Sequence, residues 1–203
     1  MKMRSPLAKA TLLGVFFLIS NPVSPMAREQ SLEDRIKADI GSLYGTDDQE
    51  RGKATRDLVE IGKASVPSLL AVLNNDKNPA FERAYRPAAT ALGDLKASEA
   101  APRLGWLLGT GDSATVFMEG KTDESLAALD PAFGPLVKIG DPAVPELKKE
   151  LSVGNWNKRY LILRVLKSIG TPDSLALGRA YIGTIESELR TARKLFPEAN
   201  PAL

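Results

Sequence analysis

Two clusters of arginine and aromatic residues are the part of this sequence best suited to binding chemistry. Arginine, tyrosine and tryptophan are enriched at the positions that dominate the binding energy of protein interfaces. The clusters therefore predict a surface for another protein. The alternative is a pair of solvated helix faces whose arginines cover apolar surface with their stems. The predicted partner-binding residues are Arg83, Tyr85, Arg86, Trp156, Tyr160 and Arg164.

Acidic residues near the middle of the chain could support a second kind of chemistry. Carboxylates can bind calcium or act as the acid and base of glycoside hydrolysis. However, the sequence has no Asp-x-Asp-x-Asp-Gly loop, and five acids over nineteen residues are ordinary for a solvated loop. We predict no catalytic residue, no metal site and no cofactor here. The alternative is a lyase-like or carboxylate-dependent enzyme that uses the 109–130 insertion, with two buried carboxylates converging in one cleft. The acids are Asp112, Glu119, Asp123, Glu124 and Asp130.

Composition excludes several classes of activity. The chain contains no histidine and no cysteine, so disulfides, Cys/His zinc sites, thiol nucleophiles and imidazole acid–base chemistry cannot occur. Of its 203 residues, 43% are hydrophobic but only 6% are aromatic, which favours close helix–helix packing in one domain over a β-sandwich.

The first 27 residues have the pattern of a bacterial secretory signal. Lys2, Arg4 and Lys9 precede an apolar run over residues 10–19, and small residues lead to Ala27. This order of charged, apolar and small segments predicts cleavage after Ala27 and a periplasmic or secreted protein. The run is too short for a transmembrane helix, which needs about 20 residues. The alternative is a buried helix of the fold.

Loss of that segment changes the charge balance of the chain. It removes three of the 27 basic residues and none of the 25 acidic ones. The mature protein is then close to neutral and has no overall field to attract a polyanion. We therefore predict neither nucleic acid as a partner nor a membrane span after signal removal.

A repeated phrase predicts the elements that position these residues. The stretches 58–69 and 136–147 share an apolar frame, a glycine after isoleucine and a later Val-Pro, and degenerate copies begin at Leu92 and Leu166. Self-similarity at intervals of ~30–45 residues indicates stacked helix pairs. The predicted pairs begin near Asp47, Asn78, Asp130 and Asn155, and a long last helix follows Pro172.

These repeats resemble HEAT repeats, in particular the short kind of the phycobilisome lyases. Asn155, Arg159 and Ile169-Gly170 match the first helix of that pattern, and the stretch 141–147 matches the second. The resemblance implies protein interaction or scaffolding, with some members acting in assembly or as lyases. It also implies that Arg159 bonds within or between repeats. Departures include Lys96, which stands where the pattern has glycine.

The predicted fold class is therefore all-α, a right-handed α-solenoid of about four HEAT-like helix pairs. Residues 28–203 form the domain, with an N-terminal capping helix, an insertion at 109–124 and a long C-terminal helix. An apolar seam along that last helix predicts a cap on the preceding pair, and a dimer interface is the alternative. We thus expect a monomeric, non-catalytic scaffold module of the cell envelope that binds another protein. A small-molecule carrier would require a closed apolar pocket instead.

Three apolar features complete the sequence-based predictions. Trp106 lies among leucines and is predicted to be in the core. Trp156 precedes a helix, where its ring could either pack or contact a partner. The triplet 116–118 is apolar within a polar loop, so we expect it to pack against the solenoid.

Overall fold

The described part of the chain is all-helical. The computed structural model describes the backbone of residues 25–110 and 121–195, and the side chains of residues 32–110 and 121–191. No strand occurs in these ranges, which confirms the predicted all-α class. Residues 1–24 of the predicted signal and the triplet 116–118 lie outside them. The helices are α1 (Pro25–Leu43), α2 (Asp48–Ile61), α3 (Val66–Leu73), α4 (Phe81–Asp94), α5 (Ala101–Leu107), α6 (Asp123–Leu129), α7 (Phe133–Ile139), α8 (Val144–Val153), α9 (Trp156–Ile169) and α10 (Pro172–Leu195).

The repeated phrase folds the same way at both copies. Helix α2 ends at Gly62 with φ 81° and ψ −145°, and α7 ends at Gly140 with φ 76° and ψ −140°. Such a backbone is essentially confined to glycine. A short 3₁₀ turn follows each glycine, and a proline then occupies the first turn of the next helix. The predicted start of the first pair, near Asp47, is confirmed, because Asp47 caps α2.

Other boundaries lie later in the chain than the sequence predicts. Helix α4 begins at Phe81 because Asn78 first closes a turn, its side-chain oxygen accepting from the Ala80 N–H at 2.9 Å. Helix α7 begins at Phe133 because Asp130 caps a similar turn through the Ala132 N–H at 2.9 Å. Helix α6 was not predicted, although Thr122 caps it by accepting from the Ser125 N–H at 3.2 Å.

Lys96 shows how the degenerate copy of the repeat departs from the others. It is the one non-glycine residue in the described part of the chain with positive φ, at 50°. It lies in the turn between α4 and the 3₁₀ turn Ser98–Ala100, where the other copies have glycine. The turn is therefore retained with a residue that adopts the left-handed conformation at a cost.

Four helices pack against one another in chain order. Helix α2 contacts α4, α4 contacts α7, and α7 contacts α9. Helix α5 contacts α8, and α8 contacts α10. One apolar core runs through these contacts, from Ile36 on α1 to Leu166 on α9.

Gly93 allows α4 to approach α7 closely. A Cβ atom placed on Gly93 of α4 would lie 2.7 Å from the Cα atom of Pro135 on α7. No carbon atoms pack at that distance, so the spacing of α4 and α7 depends on the missing side chain.

Candidate partner-binding surface

Both predicted arginine–tyrosine clusters contact the unpredicted helix α6. Arg86 on α4 donates to the backbone carbonyls of Ala127 and Ala128, at 3.2 and 2.8 Å. A cation at the last carbonyls of a helix is favourably placed with respect to the helix dipole. Arg86 therefore holds the C-terminal end of α6 against α4.

The second cluster holds the opposite end of α6. Arg164 on α9 donates to the Lys121 carbonyl at 3.0 Å and forms an ion pair with Asp123. It also donates to the Tyr160 hydroxyl at 2.9 Å. The hydroxyl of Ser168 donates to Asp123 as well, and this bond, followed by Arg164, lowers the pKa of the Asp123 carboxyl below its usual value.

The two clusters thus contact opposite ends of α6. They lie on α4 and α9, which α7 separates in the order of helix contacts. Arg86 and Arg164 both donate hydrogen bonds that hold α6 in place. Arg83 is exposed, as is Arg86. Sequence reasoning found the arginines but not the carbonyl groups that they bind.

Tyr85 is buried, with 6% of its surface exposed. Its ring stacks on Phe81 with centroids 5.4 Å apart. Its hydroxyl is buried and has no hydrogen-bond partner among the described residues. Burial, and then the charges of Asp130 and Glu82, raise the pKa of this phenol far above its usual value, so the hydroxyl stays protonated.

Tyr85 lines a cleft of about 560 Å³. The cleft lies between α4, α5 and the turn that joins α6 to α7. Its walls combine three aromatic rings with charged side chains. The lining residues are Asp76, Phe81, Glu82, Tyr85, Arg86 and Trp106, together with Leu107, Thr110, Leu129, Asp130 and Pro131.

Asp130 is the buried carboxylate of the cleft. It accepts from the Gly109 N–H at 2.7 Å and from the Ala132 N–H at 2.9 Å. Burial raises the pKa of the Asp130 carboxyl, although these N–H groups oppose the change. Its bonds tie the end of α5 to the start of α7, which is a structural role.

The acids of the insertion do not converge in the described residues. Asp123 and Asp130 lie at opposite ends of α6, a helix about 10 Å long, and Glu124 is exposed. Asp112 and Glu119 lie outside the described residues. No group of three or more acidic residues close enough to hold a metal ion occurs in the described part of the chain.

Trp106 is not in the core, and this prediction was wrong. Its ring is 48% exposed, because Leu104 and Leu107 already point into the core and residue 106 falls on the opposite side of α5. The Arg103 guanidinium lies 4.3 Å from the ring centroid and forms an ion pair with Asp76 at 2.9 Å. Helical periodicity alone could have indicated this exposure.

A second group of exposed apolar residues lies around α9 and α10. Trp156, at the start of α9, is 68% exposed. Ile182 and Leu189 of the predicted seam on α10 are 47% and 52% exposed, whereas Gly178 faces Leu163 of α9. The seam therefore covers α9 only in part. Arg159 is partly buried, and its Nε atom has no hydrogen-bond partner.

Comparison with known proteins assigns no function to this surface. Within residues 25–110 and 121–195, no helix has both the length and the apolar character that crossing a membrane requires. Comparison of the chain with protein-family models and with curated proteins finds no match.

Proposed function

We propose that this chain is an exported, non-catalytic module of the bacterial cell envelope that binds another protein. It is a right-handed α-solenoid of HEAT-like helix pairs in this proposal, and it acts as a monomer. Export is supported by the order of charged, apolar and small residues before Arg28.

The contacts between helices support the solenoid. Opening helices contact opening helices, and α5 contacts α8 in the second row, as expected when each unit buries its apolar face against the next. The shared backbone at Gly62 and Gly140 supports a common repeat. A stack of this kind is rigid, so a partner loses little free energy to ordering it.

The cleft beside Trp106 is the observation that carries the proposal. The exposed Trp106 lines the same cleft as Tyr85, a buried aromatic residue whose hydroxyl lacks a partner among the described residues. Interface hot spots combine such aromatic anchors with desolvated polar groups. Buried polar groups without partners are rare in folded proteins, and a bound partner would supply the missing bond.

Affinity capture with two matched tryptophan variants tests this function. Tagged protein of residues 28–203 is used to capture partners from the cell envelope, in parallel with Trp106→Ala and Trp156→Ala. Both rings are exposed, so neither change removes core packing. Loss of one partner with Trp106→Ala alone supports the cleft. Arg86 and Arg164 are left intact, because changing them would release α6 as well.

The other outcomes of the capture experiment are equally specific. Loss with Trp156→Ala alone would move the binding surface to the start of α9. A partner that both variants still capture would mean that neither tryptophan belongs to the binding surface. No partner, even after cross-linking, would contradict the module and favour an enzyme or a carrier. Sedimentation of the same protein tests the monomer, and the mass of the exported protein tests cleavage near Ala27.

A further inference from the structure

We propose that the cleft receives a cationic side chain, lysine or arginine, from the partner protein. This inference rests on the proposed function and names the chemistry of the group that enters the site. It follows from three properties of the cleft: its charge, its exposed ring and its unpartnered hydroxyl.

The charge of the lining is negative. Asp76, Glu82 and Asp130 contribute carboxyl groups to the lining and Arg86 contributes a cation, while Arg103 forms an ion pair with Asp76. Arg86 directs two of its nitrogens to the carbonyls of α6. Glu82 is exposed and forms no ion pair with any described residue. Glu82 is therefore the carboxylate that can receive a cation from outside.

The Trp106 ring already attracts a cation. The Arg103 guanidinium lies over it at 4.3 Å from the centroid, a distance at which the ring quadrupole stabilises positive charge. With nearly half of its surface still exposed, the side chain offers further aromatic area to a second cation at the mouth of the cleft.

The Tyr85 hydroxyl supplies the third contact. It is shielded from bulk water and lacks a partner, so a group bound in the cleft is its source of a hydrogen bond. An ammonium or guanidinium group has only donors, and the hydroxyl oxygen can accept from it. The negative charges of Asp130 and Glu82 act on Tyr85 more strongly than the positive charges of Arg86 and Arg103, so a carboxylate ligand would instead meet net repulsion.

The probe for this site is an acetylated tetralysine amide, and the reporter is Trp106 itself. The chain has two tryptophans, so Trp156→Phe leaves Trp106 as the single emitter, located in the cleft. Titration of this protein with the peptide is expected to change the Trp106 emission with a measurable affinity. An acetylated tetraglutamate amide at the same concentration is expected to leave it unchanged.

Matched variants separate the cleft from general attraction between charges. Glu82→Gln is expected to weaken binding of the peptide about tenfold, because it removes a charged acceptor. Glu99→Gln makes the same charge change at an exposed acid outside the cleft and is expected to leave the affinity unchanged. Tyr85→Phe keeps the ring and removes the hydroxyl, and is expected to weaken binding severalfold.

Several results would overturn the inference. One is an equal loss of peptide affinity in Glu82→Gln and Glu99→Gln. The others are tighter binding of tetraglutamate than of tetralysine, and no change of Trp106 emission with either peptide. The result also separates the inference from the proposed function. Peptide binding without a captured partner would leave the cationic site standing and contradict the module. Loss of the captured partner with Trp106→Ala, without binding of the peptide, would support the module and contradict the cationic site.

Discussion

The contact between α4 and α7 and the attachment of α6 show two different ways of holding a helix in this molecule. Gly93 lets α4 approach α7 so closely that a methyl group could not be accommodated. Helix α6 is instead held at its two ends by Arg86 and Arg164, through carbonyl groups and a carboxylate. The first contact consists of close packing of buried atoms. The second adds polar bonds near the surface to the burial of Leu126 in the core.

The difference predicts different responses to perturbation. Close packing is lost only when the helices separate, so a change at the α4–α7 contact should appear in the free energy of global unfolding. Polar bonds at a partly exposed site contribute little to that free energy. Their loss should instead appear as local opening of α6, while the stack remains folded.

The largest expected effect comes from Gly93→Ala, which breaks the close contact. The added methyl group would meet the backbone of Pro135, and the helices must move apart. We expect the free energy of unfolding in urea to fall by about 3 kcal/mol.

Gly183→Ala is the matched control for this change. Gly183 lies within α10, and a Cβ atom there would meet nothing within 4 Å. Alanine is the better helix former, so stability should be unchanged or rise by up to about 1 kcal/mol. A loss of the same size at both positions would mean that the α4–α7 spacing does not depend on Gly93.

Gly140→Ala tests the repeated turn by which the stack is built. The site is open in space, so any effect must come from the backbone, whose φ of 76° and ψ of −140° exclude an L-residue without strain. We expect a loss of about 2 kcal/mol in urea unfolding. A loss below about 0.5 kcal/mol would indicate that the turn rearranges easily.

Tyr85→Phe lies at the boundary between the two regions, since Tyr85 is in α4 and faces the cleft beside α6. Removing a buried hydroxyl without a partner should raise the free energy of unfolding by about 1 kcal/mol. Tyr160→Phe should lower it by about 1 kcal/mol, because that hydroxyl accepts from Arg164. If both substitutions change the free energy of unfolding in the same direction, measured by heat or urea, the unpaired state of the Tyr85 hydroxyl would be contradicted.

Local signals in the sequence were sufficient to predict several helix ends. Gly62, Gly140 and the capping side chain of Asn155 act on residues within a few positions of themselves, so their effect can be predicted from neighbouring residues. The departure at Lys96 was visible for the same reason, and the structure gives it a positive φ.

The candidate site could not be predicted in the same way. Arg86 binds carbonyls 41 and 42 residues away in the chain, and a backbone carbonyl has no sequence signature. The unpaired hydroxyl of Tyr85 depends on how α4, α5 and the α6–α7 turn meet. Of these features, only the exposure of Trp106 could have been predicted from the sequence, because residues 104 and 107 define the buried side of α5.

Lys96→Gly should strengthen the stack by a small amount. A left-handed conformation costs a lysine roughly 1 kcal/mol, and part of the gain is offset by the greater freedom of glycine in the unfolded chain. We expect stability in urea to rise by about 0.5 kcal/mol. A decrease would show that the Lys96 side chain makes a contact worth more than the backbone strain.

The smallest effect on global stability, and the sharpest test of the comparison, concerns Asp123. Its pKa is lowered in the folded protein, by Ser168 and then by Arg164. The stabilisation it gives is therefore present above the unfolded value and is lost as pH falls through the folded pKa. As pH falls below the ordinary aspartate value of 3.8, hydrogen exchange corrected for intrinsic rates should show loss of protection in α6 while α4 stays protected.

Asp130 cannot produce that result, because its shift has the opposite sign. Burial raises the pKa of Asp130, so its contribution to stability grows as pH falls from the folded value towards the unfolded one. Asp123→Asn should remove the pH dependence of protection in α6 and leave that of α4 unchanged. Simultaneous loss of protection in both helices would instead make α6 part of the stack, held by burial, with its arginine contacts secondary.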